Sequence, residues 1–233
     1  MQSDLVNRAR LTWAHAVNSQ SKLAALTPEV DFIECDIALI REGKIYLSHC
    51  ETDAVDLCLE EMLTYWSSRK RPTGLKLDLK TAQVVQPVFE LLQSLDTTGH
   101  LWINADVFGQ RKKLDPASLM LFTTCPVVSA LSLGIHGNEK DAIKAILLDV
   151  ESQAIFHSCI DNQKHITFAI NANAAYHPDC RDSIAKILQK FPGSSITLWT
   201  SVGETIAGHK INELIDVFGD SRVFADVSID SAS

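Results

Sequence analysis

Phe32-Ile33-Glu34-Cys35-Asp36-Ile37 and Leu75-Lys76-Leu77-Asp78-Leu79-Lys80 decide how the rest of this chain is read. In both stretches charged residues recur at every second position inside an otherwise apolar run. Side chains two apart on a strand share a face, so Glu34 projects with Asp36, and Lys76 with Asp78 and Lys80, while the residues between them pack the other way. Burying ionised groups is costly unless they are paired or hold a metal. Two such strands therefore point to one shared polar site, and we read that site as catalytic.

Outward from these strands, short β-type runs alternate with amphipathic helical runs about eight times. The strands are expected near Leu11–Ala16, Phe32–Ile37, Leu75–Leu79, Leu101–Val107, Val128–Leu133, Ile166–Ala172, Ile196–Thr200 and Val223–Val227. Helical spacing of apolar residues covers Val84–Leu95, Asp141–Phe156, Arg181–Phe191 and Lys210–Phe218, and Lys44–Ser48 reads as a hairpin arm on the second strand. Repeated βαβ units mean a parallel sheet. Eight of them in 233 residues, with no glycine-rich first turn, suit an α/β fold closed as a (β/α)8 TIM barrel better than an open doubly wound sheet. No linker or repeat divides the chain, so residues 1–233 are expected to form a single barrel domain.

An apolar fraction of 46% supports a sizeable core, and a net charge of -8 argues against a nucleic-acid surface. The one basic cluster, Arg69-Lys70-Arg71, reads as a solvated loop. Met1-Gln2-Ser3-Asp4 lacks a secretory layout, and no apolar run reaches the roughly 20 residues of a membrane span, so a soluble chain without a transmembrane segment is expected. Cys35, Cys50, Cys58, Cys125, Cys159 and Cys180 form no Cys-x-x-Cys pair, which fits reduced thiols in a cytoplasmic protein. Cys35 alternates with Glu34 and Asp36 and is expected to pack in the core.

In a barrel the chemistry sits at the carboxyl ends of the strands. There the sequence offers His15 and Asn18 after the first strand, Glu34 and Asp36 on the second, His49 on the arm, and Lys76, Asp78 and Lys80 on the third. Later strands add Asn104 and Asp106, Asn171 and Asn173, Trp199-Thr200-Ser201, and Asp226. Glu34, Asp36 and Asp78 form a hard oxygen set suited to a divalent cation, Mg²⁺ or Ca²⁺. His15 and His49 can serve as general base and acid, because imidazole titrates near neutral pH, and Lys80 or Lys76 can balance a phosphoryl charge. Asn18, Lys76, Asn104, Asp106, Asn171 and Trp199 are candidates for substrate contact. Trp13 and Trp102 are expected to fill the interior beneath the site. His100, His157, His165 and His209 are assigned to the surface.

The ordered set His15, Glu34-Cys35-Asp36, His49 and Asp78-Leu79-Lys80, with Trp199-Thr200, resembles the phospholipase-C-like phosphodiesterase barrels, especially glycerophosphodiester phosphodiesterases. Leu11-Thr12-Trp13-Ala14-His15-Ala16-Val17-Asn18, Ile33-Glu34-Cys35-Asp36, Leu75-Lys76-Leu77-Asp78-Leu79-Lys80 and Trp102-Ile103-Asn104-Ala105-Asp106 resemble the menorin family more closely. The resemblance implies a phosphodiesterase-related barrel with a metal on residues matching Glu34, Asp36 and Asp78, and acid–base histidines matching His15 and His49. The implied substrate is a small phosphodiester, a glycerophosphodiester or a lipid head group. The sequence departs from the phosphodiesterase pattern at His15-Ala16-Val17, where an arginine expected to meet phosphate is missing. It departs again at Cys50, which follows the second histidine in place of an acid, and at Asp78, which stands in place of a glutamate. Leu131-Ser132-Leu133-Gly134-Ile135-His136 matches the menorin pattern only in part, and His136 is given no role. Two alternatives stand beside the enzyme: a polar plug in which Glu34 and Asp36 pair with Lys76 and Lys80, and a non-catalytic, adhesion-associated binding barrel that keeps the polar mouth.

Overall fold

The computed structural model describes residues 11–230 apart from 72, 96–98, 138, 147–149 and 202, so the amino-terminal stretch read above for a leader lies outside the described residues. The strands are β1 (Trp13–Ala14), β2 (Phe32–Arg41), β3 (Lys44–Leu47), β4 (Gly74–Leu79), β5 (Leu101–Phe108), β6 (Val128–Ile135), β7 (His165–Asn171), β8 (Ser195–Trp199), β9 (Ile206–Ala207), β10 (Val223–Asp226) and β11 (Ile229–Asp230). Eight of them stand side by side in the order β1-β2-β4-β5-β6-β7-β8-β10, every neighbouring pair parallel. This is a nearly closed (β/α)8 barrel, as the alternation of runs predicts. At the seam, the His15 side chain just past β1 reaches Asp226 at the end of β10. β3 folds back antiparallel on β2 as the expected hairpin arm, and β9 pairs with β11 in a small separate sheet.

The helices are α1 (Gln20–Ala24), α2 (Leu59–Ser68), α3 (Val85–Gln93), α4 (Glu139–Ile146), α5 (Val150–Asp161), α6 (Ala172–Tyr176), α7 (Pro178–Lys190) and α8 (Gly208–Phe218). They cover the outer strand face, where Ile33, Cys35, Ile37, Leu75, Leu77 and Leu79 are fully buried in one continuous core. α7 shows why such segments are helical: Pro178 opens it where a missing N–H costs nothing, and Ile184, Ile187 and Leu188 recur on one buried face.

Register fixes the interior. Glu34 lies opposite Lys76 and Asp36 opposite Asp78, while Asp78 stands beside Asn104 and Asn104 beside Ser132. Below them Trp13, Phe32, Trp102 and Phe224 plug the barrel, with Trp13 stacked on Phe32 at 4.4 Å and Trp102 edge-on to Phe224 at 4.7 Å. Gly74 makes room for that plug, since a Cβ there would stand 2.3 Å from the Phe32 ring.

The helix read over Asp141–Phe156 falls on α4 and α5, on either side of residues 147–149, which lie outside the described residues. Two expectations are corrected. The first strand is shorter than Leu11–Ala16, since Ala16 takes the left-handed φ of 51° and turns the chain out of the ladder. His165, assigned to the surface, is half-buried on β7 with Nε2 2.7 Å from the Ser195 hydroxyl.

Candidate active site

The site grows from the β1 turn. Strain at Ala16 is offset by its N–H, which donates to Glu34 Oε2 at 2.7 Å, and Val17 N–H donates to the Glu34 carbonyl at 2.9 Å. These bonds bring His15 beside the acidic strand: its Nδ1 lies 3.2 Å from Glu34 Oε2 and 3.3 Å from Asp226 Oδ2. The hydrogen bond to Asp226, helped by the charge of Glu34, outweighs burial and raises the His15 pKa.

Glu34, Asp36 and Asp78 are all buried and each offers an oxygen within 4.8 Å of the others. Asn18 clasps Asp36 from both ends, Nδ2 donating to its Oδ2 at 2.7 Å and Oδ1 accepting from its N–H at 2.9 Å. Asn104 Nδ2 donates to Asp78 Oδ1 at 2.8 Å and is itself fixed by the Ser132 hydroxyl at 2.6 Å. Lys80 bridges Asp36, at 2.8 Å, and Asp78. Burial alone would lower the Lys80 pKa, but the Asp78 and Asp36 carboxylates overcome it and raise it; Lys80 in turn outweighs burial at Asp36 and lowers that carboxyl. Among the described residues no ammonium is paired with Glu34, and burial followed by repulsion from Asp36 outweighs the nearby Lys76 charge and pushes it up to about 7.

This set fits a hard divalent cation. Two ligands on opposite sides of an ion bonded at about 2.4 Å stand about 4.8 Å apart, and a protonatable Glu34 marks a shortage of positive charge that an ion would make good.

The other expected residues take definite places. His49 is 72% exposed at its side chain, with Nδ1 3.4 Å from Asp36 Oδ2. Asp53, rather than an acid at position 50, shapes its loop by accepting from the His49 and Cys50 N–H groups, both at 2.9 Å. Lys76, expected to contact substrate, has a side chain that is 6% exposed, paired with Asp226 at 3.4 Å and 5.2 Å from the Trp13 ring centroid. Asn171 caps α6 and donates to Glu204 Oε2 at 2.8 Å. Glu204, absent from the sequence reading, also accepts from Asn173 and Ser201, so it organises this side of the mouth.

His136, given no role from sequence, also belongs to the mouth. Its Nδ1 faces Asp106 Oδ2 at 3.3 Å and its ring meets Trp199 edge-on at 5.4 Å. Burial and then the charge of Asp78 raise the Asp106 pKa, which ties this pair electrostatically to the acidic cluster. The only sequence signal was strand parity, since His136 follows Ser132 and Gly134 on the inward face.

Eight parallel strands in sequential order, with His15 following β1, His49 following the β3 arm and an acidic cluster facing inward, form a (β/α)8 barrel of the glycerophosphodiester phosphodiesterase fold type. The crystal structure of a "putative glycerophosphodiester phosphodiesterase" from Galdieria sulphuraria superposes with a TM-score of 0.58, covering 95% of this chain and 94% of that one at 12% identity. Within that class the chain belongs to the menorin family: the family's Menorin N-terminal domain matches residues 7–232. The human protein named "Protein FAM151B" is 26% identical over 237 residues, spanning 94% of this chain and 83% of the relative.

Proposed function

We propose that the mouth is the active site of a cation-dependent phosphodiesterase acting on a small phosphodiester, such as a glycerophosphodiester or a lysophospholipid. The observation that carries this reading is the buried Glu34–Asp36–Asp78 triad with two imidazoles at its rim. Glu34, Asp36 and Asp78 would hold the cation, Mg²⁺ or Ca²⁺, which when bound supplies charge to neutralise phosphoryl oxygens. His15 and His49 are the acid–base groups on that side of the mouth, and His15 is oriented by Asp226. Lys80 stands within reach of both the carboxylates and an incoming phosphoryl group. Asn18 and Asn104 hold two of the carboxylates in place from positions beside the substrate space, and Asp106, Asn171 and Trp199 frame its far wall.

The reading extends to the whole chain as one barrel domain with a small-molecule substrate and no nucleic-acid partner. Among the described residues no helix is long and apolar enough to cross a membrane, and all six cysteines are free thiols, which supports a cytoplasmic location. One observation favours a second reading, a menorin-like binding barrel without turnover: Lys80 already pairs with two of the three carboxylates.

Product release from bis-(4-nitrophenyl) phosphate, glycerophosphodiesters and lysophospholipids, with Mg²⁺, Ca²⁺ or chelator, decides between them. The enzyme reading expects turnover that needs a divalent cation and is lost in His15→Ala and Glu34→Ala. Tight cation binding through Glu34 with no turnover across the panel would establish the binding barrel instead.

A further inference from the structure

His15 and His49 both stand on the β1–β2 side of the triad, whereas displacement at phosphorus places the attacking and departing oxygens roughly in line on opposite sides. In the strand order β1-β2-β4-β5-β6-β7-β8-β10, β6 is four places from β1 in either direction around the barrel, so the residue leaving β6 faces the one leaving β1 across the mouth. That residue is His136.

Its position is built from several directions. The His136 N–H donates to the Phe108 carbonyl at 3.0 Å, and its own carbonyl accepts from Arg111 N–H at 3.0 Å. Asp106 takes Nδ1, the Trp199 ring fixes the imidazole plane, and the side chain keeps 28% exposure. Asp106 can lie there because residue 134 is glycine: a Cβ at Gly134 would stand 2.5 Å from Asp106 Oδ1. Among the described residues Nε2 has no hydrogen-bond partner, so a side chain that keeps 28% exposure leaves one imidazole nitrogen free.

We propose that His136 is the proton donor to the departing oxygen, with Asp106 and Trp199 as its positioning residues. This rests on the phosphodiesterase reading. Water, deprotonated on the His15 and His49 side, forms the new P–O bond. The bond to the leaving alcohol breaks, its electron pair takes the proton from His136 Nε2, and the other ester bond stays intact. The products are an alcohol and a phosphomonoester, and His136 regains its proton from solvent.

The test compares two diesters that differ in the acidity of the departing phenol, methyl 4-nitrophenyl phosphate and methyl phenyl phosphate, using full-length wild type, His136→Gln and Asp106→Asn with saturating Mg²⁺ or Ca²⁺. A 4-nitrophenolate departs without a proton, whereas phenolate needs one. His136→Gln is expected to lose on the order of 10²–10⁴-fold in kcat on the phenyl ester and less than about tenfold on the nitrophenyl ester. Asp106→Asn is expected to show the same differential in weaker form. A purely structural role would lower both substrates alike, and equal losses in His136→Gln overturn the assignment while leaving the phosphodiesterase reading intact. Wild type that acts on the nitrophenyl ester alone likewise overturns it, since no donor is then serving the leaving oxygen. Wild type that releases neither phenol on this pair, nor product from the wider panel, overturns both.

Discussion

Asp226 sits at the end of the last barrel strand and serves two cations at once, His15 through Nδ1 at 3.3 Å and the buried Lys76 ammonium at 3.4 Å. Burial would raise its pKa, but Lys76, with help from His15, holds it below the usual carboxylate range. Asp226→Asn keeps the shape and removes the charge. It should cost on the order of 2 kcal/mol of stability in denaturant titration and lower kcat about 10–100-fold with a smaller change in KM. A loss confined to stability would show that Asp226 supports Lys76 alone. Glu34, Asp36 and Asp78 were legible in the sequence because ionised residues within apolar strands have few physical excuses. His136 was not, because its partner Asp106 is 30 residues away and Trp199 lies on another strand. Strand parity places His136 on the inward face but carries no trace of contacts made across a barrel.

β1 is only two residues long, yet the imidazole of His15, 3.2 Å from Glu34, follows directly on it. It is held from below by Asp31, whose Oδ2 accepts from both the N–H and the hydroxyl of Thr12 at 2.9 Å, and whose other oxygen meets Arg71. Arg71, part of the cluster read as a plain solvated loop, thus ties the loop before β4 to the foot of β1. Asp31→Ala should speed amide exchange at Trp13 and Ala14 by about tenfold while leaving the β5–β6 amides unchanged, in a native-state exchange measurement. Uniform acceleration would mean the whole barrel had loosened. The barrel strands were readable because parallel strands buried on both faces make near-continuous apolar runs. Pro116–Thr124, a 3₁₀ segment covering part of the wall, was not, since it lacks the 3.6-residue spacing on which helical reading depends.

For the whole molecule, the polar interior links stability to pH. The Glu34 pKa rises from 4.5 unfolded to about 7 folded, so the folded state binds the extra proton between those values and stability falls as pH climbs through them, by on the order of 3 kcal/mol at most. His15, raised above 6.5, contributes stability that is full below that value and is lost as pH rises through its folded pKa. Asp36 and Asp226, both lowered, contribute stability present above 3.8 and lost only in stronger acid. In chelator the melting temperature should therefore be higher near pH 5 than near pH 8. Saturating Mg²⁺ or Ca²⁺ should shrink or reverse that difference, because an ion on ionised Glu34 favours the folded state. A pH-independent melting curve, or one untouched by either cation, would contradict this account of the triad. The aromatic plug gives the same molecule an optical gauge. The Lys76 ammonium lies 5.2 Å from the Trp13 ring centroid, and Lys76 answers through Asp226 to His15 and so to whatever occupies the mouth. Ultraviolet emission from that indole, without any attached dye, should change colour as charge at the far end of this relay is gained or lost.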